Sequence, residues 1–127
     1  MTKPLFFIKS HWVGLTLIIL VAITFLSLWP LPELPSAPGT DKTHHIIAYA
    51  ALMFPAALRR PSKWWLLGLF FIAYSGGIEL VQPYVHRYGE WLDMAANTAG
   101  VVSGAFIAAS LNFFTAGYKH RREQTPP

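Results

Sequence analysis

The eighteen residues from Trp12 to Trp29 read WVGLTLIILVAITFLSLW and carry no charge. At about 1.5 Å of rise per residue they form a helix long enough to be a candidate span of a hydrocarbon core about 30 Å thick. Lys3 and Lys9 precede the run, so a cleaved secretory signal is the competing reading. The apolar part of such a signal covers only about 7 to 15 residues, and no Ala-x-Ala cleavage site follows this one. A retained helix is the better account.

Three further apolar runs follow. The second, His44 to Leu58, is short and is interrupted by Pro55. The third, Trp64 to Tyr84, carries Glu79, and the fourth, Leu92 to Phe114, carries Asp93 and Asn97 in its first turns. Trp12, Trp29, Trp64, Trp65, Tyr84, Trp91 and Tyr118 stand at run ends, where amphipathic rings settle at headgroup level. The second run needs Lys42 and Arg59 at its ends to reach across a bilayer, and a re-entrant or strongly tilted segment competes with a full span.

Composition supports lipid as the solvent. Hydrophobic residues make up 54% of the chain and charged residues 13%, against roughly 25% charged in a soluble domain. The mean hydropathy is +0.39 and the pI about 9.6. No basic stripe with interleaved aromatics accompanies that pI, which argues against nucleic acid. There is no cysteine, so neither disulfides nor thiolate metal sites arise. The expectation is one all-α membrane domain over 1–127, with four transmembrane helices at about 12–29, 43–59, 63–84 and 92–115 and a flexible tail at 119–127.

Charge then gives an orientation. With four spans, Lys3, Lys9, Arg59, Arg60, Lys63, Lys119, Arg121 and Arg122 share one face. The other face receives Lys42 and Arg87 together with Glu33, Asp41, Glu79, Glu90 and Asp93. An excess of Lys and Arg in short loops marks the cytoplasmic side. Both termini are therefore expected inside, with loops 30–43 and 85–91 outside. Three spans would break this segregation.

The unusual polar residues gather in the outer half. Asp41, His45 and Tyr49 recur every fourth position, on one helix face. Glu79 and Gln82 share a face near the end of the third helix, which Pro83 terminates. Asp93, Asn97, Gly100 and Gly104 form a stripe on the fourth helix. Ionisable groups in an apolar zone are costly and face a partner or a wet cavity. Glu79 is readable as a general acid or base, or as the ion-pair partner of Arg87 or Lys42. Asp41 and Asp93 stand where carboxylates cap helix N-termini. His45 is readable as a general base oriented by a carboxylate, or as a hydrogen-bonded packing residue. His45, Glu79 and Asp93 are ligand types for a metal, but they come from separate helices, so neither metal nor cofactor is expected. Ala96, Gly100, Gly104 and Ala108 repeat every fourth residue, as small residues do where backbones approach in lipid. The expected partner is the Gly76-Gly77 patch of the third helix, with homo-oligomerisation as the alternative.

These residues, in this order, resemble a known family. Asp41-Lys42-Thr43-His44-His45 with Tyr49 is similar to the D-K-x-x-H-x-x-x-Y signature of VanZ-like membrane proteins. Glu79 and Gln82 are similar to its E-x-x-Q element, and Arg87, Asp93, Asn97, Gly100 and Gly104 to its R-x5-D-x3-N-x2-G-x3-G segment. The match spans Asp41 to Gly104, with an extra His86 in the outer loop and Pro55 in the second span as departures. The resemblance implies a helical protein of the bacterial cytoplasmic membrane, related to a namesake associated with teicoplanin resistance. It implies no particular reaction.

Three functional readings follow. In the first, Asp41, Lys42, His45, Tyr49, Glu79, Gln82, Arg87, Asp93 and Asn97 bind a lipid headgroup or a lipid-linked cell-envelope precursor, with Lys42 and Arg87 on an anionic group. In the second, the protein is an enzyme acting on such a lipid, with catalytic candidates Glu79, His45 and Asp93. In the third, the polar set is an interhelical clamp in a protein that modulates partners by contact. No nucleophile elbow, phosphate loop or histidine box is present, which ranks enzyme below binder.

Overall fold

A computed structural model describes residues 2–29, 41–85 and 89–125, and within them every regular element is helical. The proline-rich segment 30–39 and Arg87 lie outside the described residues. Helix α1 covers Lys3–Ser10, with Pro4 in its first turn, where a missing N–H costs nothing. It meets α2, Trp12–Leu28, at an angle of 77°. The His11 N–H donates to the Phe7 carbonyl at 3.0 Å and the Leu15 N–H to that of His11 at 3.0 Å, so the corner keeps its backbone bonds. The sequence reading began the first helix at Trp12 and did not foresee α1.

Helix α3, Asp41–Arg59, runs unbroken through Pro55, which is buried among its neighbours. A tight turn through Arg60 and Lys63, both at positive φ, reverses the chain into α4, Trp64–Val81. A 3-10 turn, Gln82–Val85, follows at Pro83. Helix α5 covers Trp91–Gln124, about 50 Å at 1.5 Å per residue. It continues well past 115, and residues 119–124, expected to be flexible, are helical. Lys119, Arg121 and Arg122 suit the negative end of the helix dipole. Gln124 Nε2 lies 2.8 Å from His120 Nε2 and the Arg122 guanidinium 5.1 Å from the Tyr118 ring centre.

Named contacts fix the topology. Lys42 meets Asp93, His45 meets Asn97, and the Leu58 carbonyl accepts from Asn112 Nδ2 at 3.1 Å. Both members of each pair advance together, so α3 and α5 run parallel. Glu79 meets Glu90 and Ser75 meets Asn97, so α4 runs antiparallel to them. Thr24 of α2 is hydrogen-bonded to Tyr74 of α4, and the Ser27 carbonyl accepts from Gln82 Nε2 at 3.1 Å, which sets α2 parallel to α4.

The glycine stripe of α5 decides which helices touch most closely. A β-carbon on Gly100 would strike the Ile46 carbonyl oxygen, and one on Gly104 the Ala50 carbonyl oxygen. Their partner is thus α3, where the sequence reading chose the Gly76-Gly77 patch of α4. The α3 backbone at Ile46 and Ala50 comes so close that only glycine fits against it. Gly76 faces the Met94 side chain and Gly77 faces open space. Ala96 and Ala108 of the same stripe are buried. The core joins Ile23, Tyr49, Leu52, Met53, Phe71, Ile78 and Val101.

Large apolar side chains cover the outside, among them Ile18, Val21, Phe25, Phe70, Phe106 and Phe113. An apolar shell of this extent belongs in lipid. Trp64–Val85 and Trp91–Gln124 are long and apolar enough to cross a membrane, and α1 with α2 make a third span if the bent pair counts as one. Helix α3 falls short of that standard, because it opens on Asp41, Lys42, His44 and His45.

Candidate functional site

The N-terminal ends of α3 and α5 lie side by side, and the C-terminal end of α4 comes up against them. Two i, i+4 stripes therefore face each other: Asp41 and His45 on α3, Asp93 and Asn97 on α5. The positive ends of two helix dipoles point at this place, which favours the acids gathered there.

Lys42 is the hub of the exposed rim. Its Nζ donates to Glu90 Oε2 at 2.8 Å and to Asp93 Oδ1, and stands 4.0 Å from Asp41 Oδ2. Hydrogen bonds to Asp93 and then Glu90 hold its ammonium well above the usual lysine range. Asp93 is 4% exposed, so its charge needs such a partner. Of the readings the sequence left for Asp93, capping is not the role of its side chain: Glu90 occupies the cap position and the Asp93 carboxylate is turned to Lys42 and His45.

His45 is positioned by Asn97. Asn97 Nδ2 donates to Ser75 Oγ at 3.2 Å, which turns its Oδ1 to His45 Nδ1 at 2.8 Å. A carbonyl oxygen only accepts, so Nδ1 carries the hydrogen, and Nε2 of the neutral ring presents a lone pair. That nitrogen faces Asp41 Oδ2 and Asp93 Oδ2, each at 3.7 Å.

Glu79 lies on the floor, 5% exposed. Its Oε2 accepts the Glu90 backbone N–H at 2.9 Å, and its Oε1 is buried without a hydrogen-bond partner. This arrangement needs Gly89, since a β-carbon there would meet the Glu79 carbonyl oxygen. The ion pair with Lys42 considered from sequence does not form, because Lys42 is engaged by Asp93 and Glu90. Gln82 is buried beside the floor and ties the C-terminal end of α4 to α2. Tyr49 is deeper in the core, 2% exposed, its hydroxyl directed towards Ser75 without reaching hydrogen-bond geometry.

The structure thus brings together Asp41, Lys42, His45, Glu79, Asp93 and Asn97, with Gln82 and Tyr49 as buried neighbours. Arg87 lies outside the described residues. Sequence reasoning missed Glu90, Ser75 and Gly89 as members. Glu90 directly precedes the Trp91 that opens α5, a position that signals a helix start and conceals a side chain reaching across to α3. Ser75 carries no signal at all, being one hydroxyl in an apolar helix. The whole arrangement gathers four carboxyl groups, one ammonium and one imidazole among the described residues.

Comparison with protein-family models, with curated proteins and with solved structures finds no match to this chain.

Proposed function

We propose that the chain is a VanZ-like integral membrane protein of the bacterial cytoplasmic membrane that binds the headgroup of a lipid-linked cell-envelope molecule at its extracytoplasmic end. It crosses the membrane four times with both termini inside. Support for the fourth crossing comes from α3 running parallel to α5 along its whole length, so that a bilayer around α4 and α5 also encloses α3. Polar backbone and side chains are tolerated at membrane depth where protein buries them. Support for the orientation comes from Lys9, Arg59, Arg60 and Lys119, which line a cleft of about 660 Å³ at the other end of the bundle.

The observation that carries the binding reading is a polar cluster with an exposed rim and a buried floor, set beside exposed apolar side chains. Asp41, Lys42 and Glu90 form the rim, Glu79, Asp93 and Asn97 the floor. Ile47, Leu80, Tyr84, Trp91 and Leu92 stand exposed nearby on the same ends of α3, α4 and α5. An amphiphile fits such a place, its head in the cluster and its chains along the helices. Lys42 already spends donors on Glu90 and Asp93, so the cluster suits the hydroxyl and amine donors of a headgroup, with Arg87 left for an anionic part. The link to teicoplanin rests on the family resemblance alone.

Native mass spectrometry of the purified wild type and Arg87→Ala tests this reading. A defined lipid or precursor retained by the wild type and lost from Arg87→Ala is the expected result. A wild type carrying no defined ligand counts against it.

One observation favours a second reading, an enzyme acting on that lipid: the His45 lone pair, oriented by Asn97, is placed as a general base. It predicts that His45→Ala and Glu79→Gln abolish function while folded protein accumulates normally. A purely structural clamp predicts instead that function falls in proportion to melting temperature.

A further inference from the structure

Three ligand atoms converge at the mouth of the cluster. Asp41 Oδ2 and Asp93 Oδ2 each stand 3.7 Å from His45 Nε2, and one ligand atom from each of the three residues lies within 4.8 Å of the others. A separation of 3.7 Å is too long for a hydrogen bond. It is slightly wider than the spacing of adjacent ligands on one ion, about 3 Å for metal–ligand bonds of about 2.0–2.2 Å. We propose that Asp41, His45 and Asp93 bind a divalent cation of the Mn2+ or Zn2+ class, a site that shares Asp41 and Asp93 with the headgroup reading but does not rest on it.

Four features of the structure support the assignment. The Asn97 carbonyl fixes the His45 tautomer whose Nε2 offers a lone pair to the gap, which is how the remote nitrogen of a metal-binding histidine is held. Asp93 divides its oxygens, Oδ1 to Lys42 and Oδ2 to the gap. Asp41 is 67% exposed in its side chain, so a change of its rotamer can bring its oxygen the further distance, about 0.7 Å or more, that closure onto one ion requires. Four carboxyl groups against the one Lys42 ammonium leave the cluster negative before the ion arrives. Two carboxylates with one imidazole, and no thiolate, favour Mn2+ or Zn2+ over Mg2+ or Cu+.

The test uses the full chain in detergent without added lipid, stripped with EDTA and titrated with MnCl2, free Mn2+ being read by electron paramagnetic resonance. Saturable binding of one equivalent is expected, weakened at least tenfold in Asp41→Asn and in His45→Gln and unchanged in Glu123→Gln. Nitrogen coupling in the pulsed spectrum of bound Mn2+ should vanish in His45→Gln, and Zn2+ should displace Mn2+. Circular dichroism and gel filtration establish that the variants are folded, which the exposure of Asp41 makes a mild requirement. Absence of saturable binding to the wild type, or equal binding by wild type and Asp41→Asn, overturns the proposal. With no lipid in the titration, failure here leaves the headgroup reading standing, and a failed lipid search leaves this one standing.

Discussion

His45 Nδ1 and Asn97 Oδ1, 2.8 Å apart, join α3 to α5 through the one contact that fixes both the tautomer and the ring plane of the imidazole. The same asparagine reaches Ser75 on α4, so a single amide joins three helices at one end of the bundle.

Replacing Asn97 by leucine removes that junction and leaves the His45 N–H without its partner in a site where Asn97 is 2% exposed. An unsatisfied buried donor costs about 1–3 kcal/mol. The melting temperature of Asn97→Leu in detergent should fall accordingly, by several degrees, with helix content at low temperature unchanged.

Gly100 and Gly104 make a second, sterically sharper prediction. Gly104→Val must push α5 off the Ala50 carbonyl, and Gly100→Val must push it off Ile46. Overpacking costs about 1–3 kcal/mol even between side chains, and backbone yields less readily. Gly77→Ala meets nothing within 4 Å and should be neutral or raise stability by about 0.4–1 kcal/mol. Thermal unfolding of the three variants in one detergent decides the matter, and equal loss in all three would remove the close α3–α5 approach.

Lys42 and Asp93 should behave as one unit. Lys42→Met leaves the buried Asp93 carboxylate without its ammonium, and the melting temperature should drop. Adding Asp93→Asn to that variant should lower it no further, because the charge needing the partner is gone. Full additivity in this double-mutant cycle would mean that the two residues act separately.

The orientation is open to a reporter. An alkaline phosphatase fused after Pro35 should be active, and one fused after Pro61 inactive, because the enzyme folds only outside the cytoplasm. The reverse pattern would invert the charge argument.

The positions of α2, α3 and α4, the start of α5, the polar stripes and their confinement to one end were legible in the sequence, since each depends on local periodicity; α1 was not. Asp41 with His45 and Asp93 with Asn97 each repeat at four residues, and two such stripes at matching helix starts meet once the helices lie parallel. What was not legible was the pairing. Gly100 and Gly104 announce that some backbone comes close, but any helix backbone satisfies them, so the two glycines alone do not name α3 as the partner. The Glu79–Glu90 bond was equally hidden, because it spans a turn whose path depends on Gly89. The helical continuation to Gln124 escaped because hydropathy ends where the basic residues begin, while helix propensity does not.

The burial of α3 also bears on how the protein is made. In the four-span arrangement its backbone from Ile46 to Ala50 is covered by the glycine face of α5, yet α3 leaves the ribosome before α5 is synthesised. On its own, a segment opening on Asp41, Lys42, His44 and His45 is a poor substrate for partition into lipid. Its place in the bilayer would then be secured only when the glycine face of α5 arrives to cover it. If α3 spans, the nascent chain would until that moment hold a half-admitted helix, and its integration would be a late event governed by tertiary contact with α5.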